Sequence, residues 1–518
     1  MRLTFDYGYD DFSDSEHWPT RLQELCTFAD GLNIAAVGAM DDDALLDAIE
    51  PLEELVRYYA VKSDMKRLET VMRLQMRLLQ AAKERGIRHI GLCCAEMQFL
   101  RANAILFRTE NKNRQAEEYY NQAVQKAEAC FAELQQSCPL NNEQKLFVGW
   151  ACVEVFSEAA QVYDLLMEPI QSMQKIDRTL AVLEWLEPYR QGAVGLIEKS
   201  AELYGTYGGV FFQAGRTEDG RKCFETSVTL FRGLDHDYGS DFYYARSIWV
   251  KGLYGLQEFL CAGNPRIMLD CELEAEQGLA GRFTHPRDRA IASAAIGLVL
   301  AQKGSALQQN GDLPRAVEQM QRSCKLLNDA FDTLEKDHQE PHGDYYRAVM
   351  TALIVRIFSC YVGVLDVLGV YWYHNKQLEQ AKAALEKAVE LLTGKNEYKG
   401  SETGATILYA ECYLYLALIA SEEGDASKAE FYGAQSASFA ADMAKHTKNS
   451  AALGIEITAC ALVCELCLAV KNKPKAAEYA EMGLEACSVL AGIDPQNDRL
   501  ELRELLEKYR KKALRKFF

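Results

Sequence analysis

Gly304-Ser-Ala-Leu307-Gln-Gln-Asn-Gly311-Asp-Leu-Pro314-Arg-Ala316-Val-Glu-Gln-Met320-Gln-Arg-Ser323 is the stretch whose reading decides the fold. Gly311 can end a helix in the left-handed conformation, which costs glycine nothing. Pro314 then falls in the first turn of a second helix, where its missing N–H is tolerated. The small residues Gly304, Ala316 and Ser323, set against the large Leu307 and Met320, let two helices approach closely and fill the space beside the crossing. The stretch reads as one antiparallel helical hairpin.

The same spacing of small, large, turn, small, large and small returns along the chain. It reads Gly208, Phe211, Gly215, Gly220, Phe224, Ser227; then Gly369, Trp372, Lys376, Ala381, Leu385, Ala388; then Ala417, Ala420, Gly424, Ala429, Gly433, Ser436. An early copy is Ala104, Phe107, Asn111, Ala116, Tyr120, Ala123. Turns fall near 63, 111, 215, 263, 311, 376, 424 and 472, mostly 48 residues apart. The gap from 111 to 215 holds about two such units, which places a degenerate turn near Glu168-Pro169. The gap from 311 to 376 exceeds one unit by about 17 residues.

This pattern resembles the tetratricopeptide repeat, over about residues 45–490, with units longer than that family's usual 34 residues. The resemblance implies an all-α, right-handed superhelical solenoid of antiparallel helical hairpins. Stacking would bury a continuous core, so each repeat would depend on its neighbours and the ends would need polar caps. Five segments are expected: an acidic N-terminal segment or cap (1–54), a first array (55–330), an inserted polar loop (331–346), a second array (347–498) and a basic amphipathic C-terminal helix (499–518). The first segment holds 14 acids against 2 bases, with Asp41-Asp42-Asp43 at a helix start, and the last holds 8 bases against 3 acids.

Composition sets further bounds. Eleven prolines in 518 residues is well below the usual ~5% and favours long uninterrupted helices. A net charge of −18 argues against sequence-independent nucleic-acid binding, which needs a basic face. The sixteen cysteines are too few for a disulfide scaffold and lie within apolar helical stretches, as buried thiols of a reducing cytoplasm do. The N-terminus lacks a basic region followed by an apolar core, so no signal peptide is expected. The most apolar run, Ile357 to Tyr373, is 17 residues long and contains Asp366. It is therefore expected to be a buried helix rather than a membrane span, which needs about 20 residues.

Motifs for catalysis are missing from the sequence: it has no Walker loop, dinucleotide glycine fingerprint, His-Glu-x-x-His or Gly-x-Ser-x-Gly elbow. Cys464-Glu-Leu-Cys467 has ligand-like spacing but sits in a helix of core character, with Cys460 one turn earlier. His338 and His342 flank Pro341 in a segment read as a solvated connector. That segment echoes Asp235-His236 to Tyr243-Tyr244, and both echoes end at a helix start, where Asp241 and Asp344 would cap. No cofactor or metal is expected.

The resemblance further implies that a peptide or partner helix would lie along the face lined by the first helix of each hairpin. The family's carboxylate clamp is absent, because its positions hold Gly205 and Gly209, Ala301 and Ser305, and Asp366 and Val370. That face instead offers Arg101, Arg108, Phe212, Gln213, Gln308, Gln309, Tyr373 and His374 as candidate partner-binding residues. A non-enzymatic protein or peptide interaction scaffold follows as the expected function. The alternatives are a peptide-sensing intracellular regulator and, behind it, an enzyme with a helical-toroid active site. In the C-terminal segment Leu502, Leu505, Leu506, Tyr509 and Phe517 form one apolar face opposite Arg503, Arg510, Lys511 and Arg515. Such a helix either caps the last repeat or serves as an arm for a partner or a membrane surface.

Overall fold

A computed structural model describes residues 18–515 apart from 33, 62–63, 111, 137–139, 167, 340–343, 396–397, 399–401, 448 and 496–498. Among the described residues there is no strand. The helices are α1 (Trp18–Gly31), α2 (Asp42–Val61), α3 (Met65–Glu84), α4 (Ile90–Thr109), α5 (Asn113–Gln135), α6 (Asn142–Leu165) and α7 (Pro169–Leu186). There follow α8 (Val194–Gln213), α9 (Thr217–Tyr238), α10 (Asp241–Ala262), α11 (Arg266–Gln277), α12 (Pro286–Gln309), α13 (Leu313–Gln339) and α14 (Asp344–His374). The chain ends with α15 (Leu378–Gly394), α16 (Glu402–Glu422), α17 (Ala426–Thr447), α18 (Ser450–Ala469), α19 (Lys473–Ile493) and α20 (Leu500–Leu514). From α2 to α19 they pair as successive hairpins, an even-numbered first helix and an odd-numbered second one.

Two compact units divide the chain: residues 1–243 with 341–348, and residues 244–340 with 349–518. In each, the first helices of the hairpins carry the core. Fifteen residues of α6 are buried, among them Trp150, Phe156 and Tyr163, because a helix packed on several sides needs apolar residues all round.

Apart from those near 63 and 111, which lie outside the described residues, the turns fall where the sequence puts them. Gly215, Gly263, Gly311 and Gly424 all have positive φ, and so does Lys376 at 60°. Near 472 the left-handed residue is Lys471, at φ 61°. The degenerate turn lies between α6 and α7, with Pro169 as the first residue of α7.

Recurrent small and large positions touch one another across the α8–α9, α12–α13 and α14–α15 crossings. A Cβ on Gly304 would lie 2.6 Å from Met320 Cγ, and one on Gly369 would lie 2.5 Å from Leu385 Cγ. The closing serines do more than fill space. Ser227, Ser323 and Ser436, all fully buried, donate to the first-helix carbonyls of Ala201, Gly297 and Ala410 at 2.6, 2.6 and 2.7 Å.

Three expectations need correction. Residues 331–346 are not a polar loop through most of their length, because α13 runs to Gln339 and α14 starts at Asp344. Buried Leu327, Ala330, Phe331 and Leu334 carry the helical stripe into that segment, and its polar residues are the outer face of a 27-residue helix. His342 lies outside the described residues, while His338 lies on α13 with its ring 6.5 Å from that of Tyr398. Second, the boundary at 54/55 falls inside α2, whose Leu52, Leu55 and Val56 belong to one core cluster with α3. Asp41 does open α2, accepting from Ala44 N at 2.8 Å.

Third, the shortness of the apolar run does not exclude a span. Ile90–Thr109, Pro286–Gln309, Met350–His374 and Ser450–Ala469 are each long and apolar enough to cross a membrane, by length and composition. In this fold 56–61% of each window is buried inside the protein.

At the C-terminus α20 packs on α18 and α19, with Leu506 fully buried and Leu502 and Tyr509 against the same cluster. Arg510 and Lys511 face solvent, and Phe517 lies outside the described residues.

Candidate binding face

α4 meets α6, and α14 meets α16, and the two contacts share one register. Arg101 on α4 stands three residues before its small crossing residue Ala104, as Asp366 on α14 stands before Gly369. On the next first helix, Glu154 precedes Ala160 by six, as Glu411 precedes Ala417. Arg108 and Tyr373 are likewise equivalent, four residues after the small position.

In the first unit this register holds a closed ion network. Arg101 grips Glu158 through Nε at 2.9 Å and Nη2 at 2.6 Å. Its Nη1 donates to Glu154 at 2.8 Å and to Gln98 at 3.0 Å. Tyr120 OH donates to Glu158 at 2.9 Å, and Arg108 Nη1 donates to Gln161 at 3.3 Å. Burial pushes the Glu158 carboxyl up, but the Arg101 guanidinium more than offsets it and holds the group below its ordinary value. Arg101, only 15% exposed along its side chain, is therefore committed to its own fold.

The second unit has a carboxyl where the first has the guanidinium. Asp366 is 5% exposed and accepts a hydrogen bond from the Cys412 thiol at 3.4 Å. Burial, and then the charge of half-buried Glu411, push it up to about 7. Burial raises Glu411 as well.

Above this pair lies an aromatic cluster. Tyr373 and Tyr415 meet edge-on at 5.4 Å between ring centroids, and His374 lies 5.8 Å from Tyr415. Tyr373 OH and Lys376 Nζ both donate to Glu422 Oε1 at 2.9 Å. His374 is exposed, so the cluster opens to solvent.

Of the candidate residues, Arg101 and Arg108 thus share one network, while Tyr373 and His374 share one cluster. Gln213 lies exposed at the end of α8 in the first unit, and Gln308 and Gln309 lie exposed at the end of α12 in the second. Phe212 is a correction. It is 3% exposed, its ring centroid is 6.0 Å from that of Phe224, and it offers no contact surface. Its position faces the second helix of its own hairpin, where it fills the space left by Gly220. Asp366, Glu411, Tyr415 and Glu422 were not singled out as contacts; the signal that finds them is the register, applied to the next hairpin as well.

Cys460, Cys464 and Cys467 are fully buried in α18, where burial raises each thiol. Among the described residues, no three His, Cys, Asp or Glu side chains are grouped to hold a metal.

The chain matches no protein-family model and no curated protein. Solved structures similar to it include a circular tandem repeat protein with novel repeat topology, at 12% identity and a TM-score of 0.19, covering 93% of this chain and 97% of that one. The hypoxic regulator of sterol synthesis Nro1, a nuclear import adaptor, is similar at 14% identity and a TM-score of 0.24, covering 80% and 99%. Yeast Tom70 is similar at 12% identity and a TM-score of 0.22, covering 80% and 95%. Scores this low leave the fold and its function to be argued from the chain itself.

Proposed function

We propose that the protein is a non-enzymatic interaction scaffold of tetratricopeptide-like character. It takes a segment of a protein partner along its first helices and seats a basic side chain of that segment at Asp366 and Glu411. One observation supports this reading: the register position filled by Arg101 in the first unit carries a second carboxyl in the other, and among the described residues no cation completes the pair. A ligand guanidinium or ammonium supplies it, and the Tyr373, His374 and Tyr415 rings beside it give the ligand's carbon stem a surface. The thiol-rich, disulfide-free character of the described cysteines supports a reducing compartment such as the cytoplasm.

The experiment is an array of 12-residue peptides, each with one Arg or Lys in an otherwise neutral sequence, read by fluorescence anisotropy against the full chain. Peptides bearing the basic residue should bind, weaken with salt, and lose at least tenfold in affinity against Asp366→Asn. Equal binding of neutral peptides, or indifference to Asp366→Asn, defeats the assignment.

A further inference from the structure

The α4–α5 hairpin carries a chemical feature that scaffold binding does not use. Cys93 lies in the first turn of α4 and Cys130 on α5, 18 residues before and 19 after position 111, where the sequence places a turn. In an antiparallel hairpin, residues equidistant from the turn face each other. Here the two sulfurs are 2.7 Å apart, with Cys130 donating to Cys93. Cys130 is fully buried, while Cys93 is only half-buried.

We infer that Cys93 and Cys130 form a redox modification site, in which a hydroperoxide oxidises Cys93 and Cys130 resolves it to a disulfide across the hairpin.

The surroundings differentiate the two thiols. The Cys130 S–H bond lowers the Cys93 thiol against the opposing effect of burial; the Lys126 ammonium, itself paired with Glu96, lowers it further, while the Glu96 and Glu133 carboxylates raise it. The N-terminal end of α4 adds its own favourable field for an anion there. The hydrogen bond to Cys93 and burial push the Cys130 thiol far up, so it stays protonated until it reacts. When Cys93 is a thiol, its own proton points to the Lys126 carbonyl at 3.7 Å. Cys152, fully buried on α6, donates to the Ala127 carbonyl at 3.6 Å and does not compete.

The chemistry balances in two steps. The Cys93 thiolate attacks the terminal oxygen of the hydroperoxide; an S–O bond forms, the O–O bond breaks, and the leaving alkoxide or hydroxide takes a proton from water. Cys93 is then a sulfenic acid, oxidised by two electrons, and the peroxide is reduced. Cys130 sulfur next attacks Cys93 sulfur; the S–S bond forms, the S–O bond breaks, and the departing hydroxide leaves as water with the Cys130 proton. A thiol reductant reverses the result by exchange.

The test uses the full chain and dilute hydrogen peroxide, followed by alkylation of remaining thiols and peptide mass spectrometry. The expected product is 2 Da lighter, cross-linked from Cys93 to Cys130, and reverts with dithiothreitol. Fragmentation between Cys93 and Cys94 assigns the bridging residue. In Cys130→Ser, a sulfenic acid trapped by dimedone should accumulate at Cys93. If that variant does not fold, the pH profile of Cys93 alkylation in the unmodified chain serves instead, with half-reaction below the ordinary thiol value. Oxidation that falls first on exposed Cys261, or a bridge that leaves out Cys93 or Cys130, overturns the inference.

Discussion

The α4–α6 and α14–α16 contacts are built on one register and reach opposite electrostatic ends. In the first, Arg101 joins Glu154 and Glu158, and its charge is spent inside the fold. In the second, Asp366 meets Glu411, and burial keeps both from ionising easily. A repeat register thus fixes which positions face each other while leaving their chemistry free. Where the chain supplies both signs the contact is structural; where it supplies one, we propose that a partner supplies the other.

The largest expected effect comes from breaking the closed side. Arg101→Ala strands two carboxylates in a half-buried site, and such losses cost about 3–5 kcal/mol. Hydrogen exchange in α4 and α6 should accelerate accordingly. Exchange unchanged there would mean that solvent screens the network and that the contrast between the two contacts is only nominal.

The open side should respond with the other sign. Because folded Asp366 protonates near 7, against an ordinary carboxyl value of about 3.9, its penalty is small at pH 4 and grows until about pH 7. Asp366→Asn removes that penalty. It should stabilise the second unit by on the order of 2–4 kcal/mol at pH 8 and by almost nothing at pH 4. Glu158 runs oppositely: its value is depressed, so its contribution is present above the ordinary carboxyl range and lost as pH falls through the folded value. Denaturant midpoints measured across pH 4–8 should show both limbs, and a gain from Asp366→Asn that does not change with pH breaks the comparison.

A smaller effect tests the register itself. Gly369→Ala places a Cβ 2.5 Å from Leu385 Cγ, an overpacking that costs about 1–3 kcal/mol. At the equivalent position α4 already accommodates a buried Ala104, where Ala104→Gly should cost only about 1 kcal/mol of helix propensity. Thermal melting of both variants checks the pair. Similar losses would mean that the two crossings are not equivalent.

Much of this was legible before the structure. Gly215, Gly311, Gly424 and Pro169 mark turns because backbone stereochemistry leaves few other residues for those places. The segment 331–346 was misread because Lys336, Asp337, His338, Gln339 and Pro341 look like a connector in composition, while the helical stripe ending at Leu334 outweighs composition. At the site, Arg101 and Tyr373 were found because they lie on the first-helix face that the repeat spacing lines up. Their partners were missed because Glu158 and Tyr415 lie one hairpin further on, 57 and 42 residues away, and single-helix periodicity says nothing about neighbours at that distance. Cys93 and Cys130 were within reach of sequence reasoning, since counting outward from the turn at 111 pairs them.

The buried serines act as detents. Each of Ser227, Ser323 and Ser436 has its hydroxyl in an otherwise apolar slot, with a carbonyl of the facing helix as its acceptor. A second helix that slipped along the first by one turn would strand that donor in hydrocarbon, at the desolvation cost of an unmet hydroxyl. Apolar packing alone tolerates such slippage, because one leucine ridge is much like the next. The three hydroxyls thus fix the axial seat of α9 on α8, of α13 on α12 and of α17 on α16, and make travel between seats stepwise instead of continuous.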